Sequence, residues 1–175
     1  TQGAGFEGFP FLELHDLLEH SYPLVHRTLK REIIADYSLL YTWTGSDPSL
    51  APMLLMAHQD VVPVEPGTED RWTHPPFSGA IADGRIWGRG TMDNKINLLA
   101  QLEAVEKLLS DGFEPKRTIY LAYGHDEEVG GTGAIATVAL LKERGIQLYL
   151  VLDEGGAIVS GSMPGLDAAP AFVGI

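Results

Sequence analysis

The stretch that decides the reading is Leu54–Val62, LLMAHQDVV. Its apolar lead, Met53–Ala57, runs into His58 and Asp60, with Pro52 on one side and charge on the other. An apolar run of this length between such borders predicts a buried β-strand. Residues two apart in an extended segment point to the same side, so the imidazole and the carboxylate leave the strand end together. In open α/β sheets that carboxyl edge is where ligands bind.

Later stretches repeat the device. Thr118–Tyr123, TIYLAY, reads as a buried strand and is followed at once by GHDEE; Gln147–Leu152, QLYLVL, is followed by Asp153 and Glu154. A Gly-rich segment, IWGRGTMDNK, sets Asp93 just ahead of a helix over Ile96–Ser110, whose apolar residues at 98, 99, 102, 105, 108 and 109 keep the 3.6-residue period. EVGGTG leads into a second helix, Ala134–Arg144, closed by Gly145. Helices alternating with apolar strands predict an α/β fold with a mostly parallel sheet.

Upstream, Phe11–Leu29 is helical in its first half and interrupted at Pro23. Its His15, His20 and His26 read as solvated or capping side chains of a surface helix. Tyr37–Thr44, YSLLYTWT, is β-rich, and GSDPS (Gly45–Ser49) is a turn signal before the strand that ends at His58. Strand, turn and strand predict an antiparallel pair there. Thr1–Pro10 is Gly-rich and expected to be loose. Val61–Gly90 is long and irregular, and Trp72, Phe77 and Trp87 predict that it is nonetheless ordered, because aromatics in a loop need something to pack on.

The chain of 175 residues is long enough for one full-sized core, and its hydrophobic content of 45% is that of a globular protein. A formal net charge of −12 argues against nucleic acid or anionic membrane as partner and suits a protein that gathers carboxylates around cations. The absence of Cys excludes disulfides and thiolate metal sites. No apolar run approaches the ~20 residues of a membrane span. TQGAGFEGF lacks the basic and apolar regions of a signal peptide, which leaves the compartment open.

His58, Asp60, Asp93, Glu127, Glu128 and Asp153 all lie at strand ends or helix starts, about one strand–helix unit apart, so parallel strands would bring them to one edge. Five carboxylates and an imidazole gathered there repel one another unless cations are present. Nitrogen and carboxylate ligands without sulfur suit Zn²⁺, Co²⁺ or Mn²⁺. A carboxylate shared between two such ions would place the site among two-metal hydrolytic centres.

The ordered set MAHQDVVPV, PPFSG, IWGRGTMDNK, GHDEEVGGTGA and LVLDEGG resembles the aminoacylase/carboxypeptidase family of dizinc metallopeptidases, and most nearly its carboxypeptidase S and N-fatty-acyl-amino-acid hydrolase branch. The resemblance runs from about Tyr37 to the C-terminus. It implies a three-layer α/β/α catalytic domain in which His58 and Asp153 hold one zinc ion, Glu128 holds the other and Asp93 bridges them. It further implies that Glu127 is the general base and that Asp60 orients His58 from behind. A cis peptide at Asp93–Asn94 is implied as well, with Asn94 where many relatives carry Asp. The reaction implied is hydrolysis of an amide or peptide bond in an N-acyl amino acid or short peptide. His74 and His125 match no family ligand and read as loop or supporting residues.

The family's second metal takes a His from late in a longer chain, yet no His follows Asp153. The family also inserts a lid domain after this point, through which it forms homodimers and binds substrate. Residues 1–175 are therefore expected to be the N-terminal part of a catalytic domain, without its lid or C-terminal portion. The alternative is a metal-binding fragment with no activity of its own. Turnover of an N-acyl amino acid by the 175-residue chain separates the two.

Overall fold

The structure is a computed structural model that describes residues 8–155. Of the Thr1–Pro10 stretch expected to be loose, residues 1–7 lie outside the described residues, as does the C-terminal PAFVGI, whereas Phe9 and Pro10 open a helix. Strands β1 (Lys30–Ile34), β2 (Ser38–Trp43), β3 (Met53–His58), β6 (Ile119–Gly124) and β7 (Leu150–Leu152) form one sheet in the order β1-β2-β6-β3-β7. β3 is parallel to β6 and to β7, while β1–β2 and β2–β6 are antiparallel. The sheet is thus mixed, and its parallel part is the part that carries the site.

Helices cover both faces. On one, α1 (Phe9–Ser21), α2 (Pro23–Thr28) and α3 (Lys95–Ser110) bury Leu18, Val25, Leu98 and Leu102 against Leu39, Tyr41, Leu121 and Tyr123. On the other, Leu141 of α4 (Thr132–Glu143) packs on Leu40, Leu54, Tyr120 and Ala122. The alternation of Leu39 with Leu40, and of Leu121 with Ala122, divides these residues between the two faces, as the two-residue period of a strand requires. This is the three-layer α/β/α arrangement. Leu121 is fully buried in the larger cluster, so Leu121→Ala should destabilise the fold by about 2–5 kcal/mol, measured by chemical denaturation.

Two expectations about this sheet and its helices need correction, and one strand lies outside them. The segment before β3 does not pair with it: β6 lies between β2 and β3. The intervening loop wraps around the start of β6 instead of turning back tightly. Ser46 N–H donates to Pro115 O, Asp47 N–H to Lys116 O, and Met53 N–H to Thr118 O. β6 is apolar on both faces and takes the central position, where both faces are covered. Next, β1 was not foreseen, since KREII is short and mostly charged, as befits an edge strand. The second correction concerns His15, which is buried instead of solvated.

The long Val61–Gly90 stretch is ordered by local means. Strands β4 (Ala80–Ala82) and β5 (Arg85–Trp87) make a hairpin over Asp83–Gly84, both at positive φ (52° and 69°), the two-residue turn that matches strand twist. Trp87 Nε1 donates to Ala82 O, and the Arg89 guanidinium lies 5.3 Å from the Trp72 ring centroid. Phe77 departs from the expectation: it is 69% exposed. Among the described residues no helix is long and apolar enough to cross a membrane.

Candidate metal centre

The site forms where β3 and β6 end. His58 is the last residue of β3, opposite Gly124 at the end of β6, and is 2% exposed. Its Nδ1 faces Asp60, 3.1 Å from the backbone oxygen and 3.3 Å from Oδ1. A proton on Nδ1 donated to Asp60 leaves Nε2 as the reactive nitrogen, the arrangement by which a carboxylate fixes a ligating imidazole. Nε2 points into a ring of acids: Asp93 Oδ1 at 2.9 Å, Glu154 Oε1 at 3.4 Å and Glu127 Oε2 at 3.9 Å.

Asp60 does more than orient His58. Its two oxygens accept the backbone N–H groups of Glu127 (3.1 Å) and Glu128 (3.0 Å), so one carboxylate ties the strand edge to the acidic turn. Asp126 anchors the same turn from the other side. Its carboxylate accepts bonds from Thr132 N, Thr132 Oγ1 and Gly133 N at the start of α4. Burial pushes the Asp126 carboxyl up, but those bonds and the neighbouring His125 outweigh it and leave it below the usual range. The helix approaches so closely at Gly133 that a Cβ there would stand 1.9 Å from Ser38 Oγ, which is why glycine occupies the position.

The electrostatics are those of an anionic cluster. Glu128 is pushed above its ordinary value first by burial and then by Asp93, Glu127 and Asp60, with His58 opposing. Glu154 is raised by burial and by Asp93, Glu127 and Asp153, again against His58. At His58, burial lowers the value, but Asp93, Glu154 and Asp60 outweigh it and hold the imidazole above its usual range. Glu128 Oε1 is a buried carboxylate oxygen with no hydrogen-bond partner among the described residues. Such an oxygen beside like charges calls for a cation. Among the described residues, two groups have ligand atoms close enough to share an ion, His58–Glu127–Glu128 and His58–Asp93–Glu154. The donor set is nitrogen and carboxylate oxygen, which fits a divalent cation such as Zn²⁺.

Of the residues singled out from the sequence, His58, Asp60, Asp93, Glu127 and Glu128 converge here. Asp153 differs. Its Oδ1 accepts the N–H of Glu154, and Glu154 contributes the carboxylate nearer to His58. Asp153 does line a cavity of about 320 Å³ with His58 and Glu127, walled by Leu54, Met56 and Val138. The peptide Asp93–Asn94 is cis, as the family resemblance implied. Sequence reasoning missed Gln59, His15 and Lys95, which support the site from behind. Gln59 sits between two singled-out residues, and that adjacency was its one available signal.

An α/β sheet whose strand edge gathers one imidazole and several carboxylates presents the donors of a candidate metal centre. The chain belongs to the peptidase family M20/M25/M40, whose model matches residues 54–167. It is 49% identical over 154 residues to carboxypeptidase S of Saccharomyces cerevisiae, a match covering 85% of this chain and 27% of that protein. It is 51% identical over 168 residues to a probable carboxypeptidase S-like 2 of Dictyostelium discoideum, covering 94% of this chain and 32% of that one. Against the human N-fatty-acyl-amino acid synthase/hydrolase PM20D1 the identity is 46%, over 88% of this chain and 30% of that protein. The chain thus spans about a third of the length of the curated relatives it matches. Among solved structures, the M20 family metallo-carboxypeptidase Sso-CP2 of Sulfolobus solfataricus aligns with a TM-score of 0.65 at 25% identity, over 85% of this chain and 32% of that one.

Proposed function

We propose that the chain is the N-terminal, metal-bearing part of the catalytic domain of a longer hydrolase that cleaves the amide bond of an N-acyl amino acid or short peptide. The observation that carries this reading is His58 Nε2 facing three carboxylates at the sheet edge, with Asp60 behind Nδ1. The carboxypeptidase S and N-fatty-acyl-amino-acid hydrolase relatives support the substrate class.

In this proposal His58 and Asp153 hold one divalent cation, Glu128 holds a second, and Asp93 is shared between them. Cations bound there would polarise the scissile carbonyl and acidify a water molecule. Asp60 keeps the His58 tautomer fixed and holds the backbone of Glu127 and Glu128 in register. Glu127 is adjacent to Glu128, and its carboxylate stands farther from His58 Nε2 than those of Asp93 and Glu154, 3.9 Å against 2.9 and 3.4 Å. In this reading it takes a proton from water and returns it to the leaving amine. The remainder of the longer protein would supply the second cation's last ligand, the lid and a homodimer contact.

The three ligands of the first position are present in this chain, so the 175-residue protein should bind about one Zn²⁺ tightly, the second position being too poor in ligands for comparable affinity. Isothermal titration of the chain, alone and as Asp153→Asn or Glu154→Gln, tests this. Asp153→Asn should abolish tight binding, and Glu154→Gln should preserve most of it. The reverse result would transfer the ligand role to Glu154. Two tight equivalents with brisk hydrolysis of an N-acyl amino acid would mean that His125 or His74 completes the site. No zinc binding at all would overturn the metal reading.

A further inference from the structure

We propose that Gln59 is a positioning residue for this metal centre, locking the His58–Asp60 strand end against the acidic turn; the inference rests on the function proposed above. Gln59 is 2% exposed, and all its polar groups are bonded. Its Nε2 donates to Tyr37 O and Tyr123 O, both at 2.9 Å, which fixes which end of the carboxamide is nitrogen. Its Oε1 then accepts from His15 Nε2 at 2.9 Å. Its backbone N–H donates to Gly124 O at 2.7 Å, and its carbonyl accepts from Lys95 Nζ at 2.6 Å. One residue is thereby tied to α1, to the turn before β2, to the end of β6 and to the first residue of α3.

Gln59 turns its side chain toward His15 and Tyr123, while His58 Nε2 faces the acids and Asp60 holds the acidic turn, so a rotation of this segment would strain these bonds together. Asp60 in turn holds Glu127 N–H and Glu128 N–H. The line of bonds runs from His15 through Gln59 and Asp60 to the base and its neighbouring ligand. Lys95 closes a second line, because its ammonium on Gln59 O fixes the start of α3 two residues after Asp93. The other reading is a buried amide that merely satisfies core carbonyls, without consequence for the metal.

The experiment uses the longer protein that carries this chain, with Gln59→Met, Lys95→Met and Leu18→Ala. Gln59→Met keeps the volume and removes the carboxamide bonds. Lys95→Met removes the bond to the Gln59 carbonyl and the ammonium charge near Asp60 from a partly exposed position, and it serves if Gln59→Met does not fold. Leu18 is fully buried on α1, remote from the site chemistry, and its truncation supplies a comparable loss of stability. Zinc affinity and kcat are measured well below each variant's Tm. Gln59→Met should weaken zinc binding by about 10–100-fold and lower kcat in parallel, Lys95→Met by about tenfold, as for outer partners of metal ligands. Leu18→Ala should change neither. Wild-type zinc affinity and kcat in both methionine variants, or equal losses in Leu18→Ala, would overturn the proposal. An unsubstituted protein that binds zinc but hydrolyses no N-acyl amino acid would overturn the function instead, while the zinc affinities of the variants still decide the role of Gln59.

Discussion

Glu127→Gln in the longer protein should lower turnover of an N-acyl amino acid by about two to four orders of magnitude while leaving metal content nearly intact. The substitution keeps the side chain's size and removes its capacity to accept a proton. The Glu127 carboxylate reaches only to 3.9 Å of His58 Nε2, beyond Asp93 and Glu154, and its side chain is half open to solvent. Its backbone is held independently by Asp60, so the exchange leaves the turn in place. The effect should fall on kcat more than on KM, because the proton moves only as the bond breaks. Metal analysis beside steady-state kinetics checks both halves. Loss of metal with Glu127→Gln would make this residue a ligand and move the base elsewhere in the cluster.

Asp93→Ala should have the opposite signature, in which zinc is lost on dialysis and activity vanishes with it. Asp93 Oδ1 makes the closest carboxylate approach to His58 Nε2, at 2.9 Å, and Asp93 also raises both Glu128 and Glu154. A carboxylate that presses on the residues of both candidate groups is placed to be shared between two cations. Its removal should also relieve part of the repulsion that lifts Glu128 and Glu154 in the metal-free protein. Retention of both zinc equivalents by Asp93→Ala would exclude a bridging role.

Much of this was legible in the sequence because strand and helix periods are local. LLMAH, TIYLAY and the helix beginning near Lys95 carry their periodicity in adjacent residues, and acids placed just after apolar runs must emerge at strand ends. His58, Asp60, Glu127 and Glu128 were singled out that way and Asp93 by its place ahead of a helix, and the five motifs then supplied their implied roles. The pairing of strands was not legible, since nothing within residues 37–58 signals that β6, some sixty residues later, will enter between β2 and β3. That outcome is set by which strand is apolar on both faces and by loop amides that bond to the segment before β6.

Tertiary structure alone decided the supports of the site. The sequence marks His15 as one histidine of a helix; only the packing of α1 against the sheet buries it and sets its Nε2 on Gln59. Gln59 itself has no period or motif to mark it, because its bonds reach 22 to 65 residues along the chain. The placement of Asp153 and Glu154 is of the same kind. Adjacent acids after a strand point to different sides, and the fold sets the Glu154 carboxylate 3.4 Å from His58 Nε2 while Asp153 accepts the Glu154 N–H. Local periodicity thus determined the elements and the residues at their ends, whereas long-range hydrogen bonds and burial, which no local pattern encodes, decided how those ends are held together.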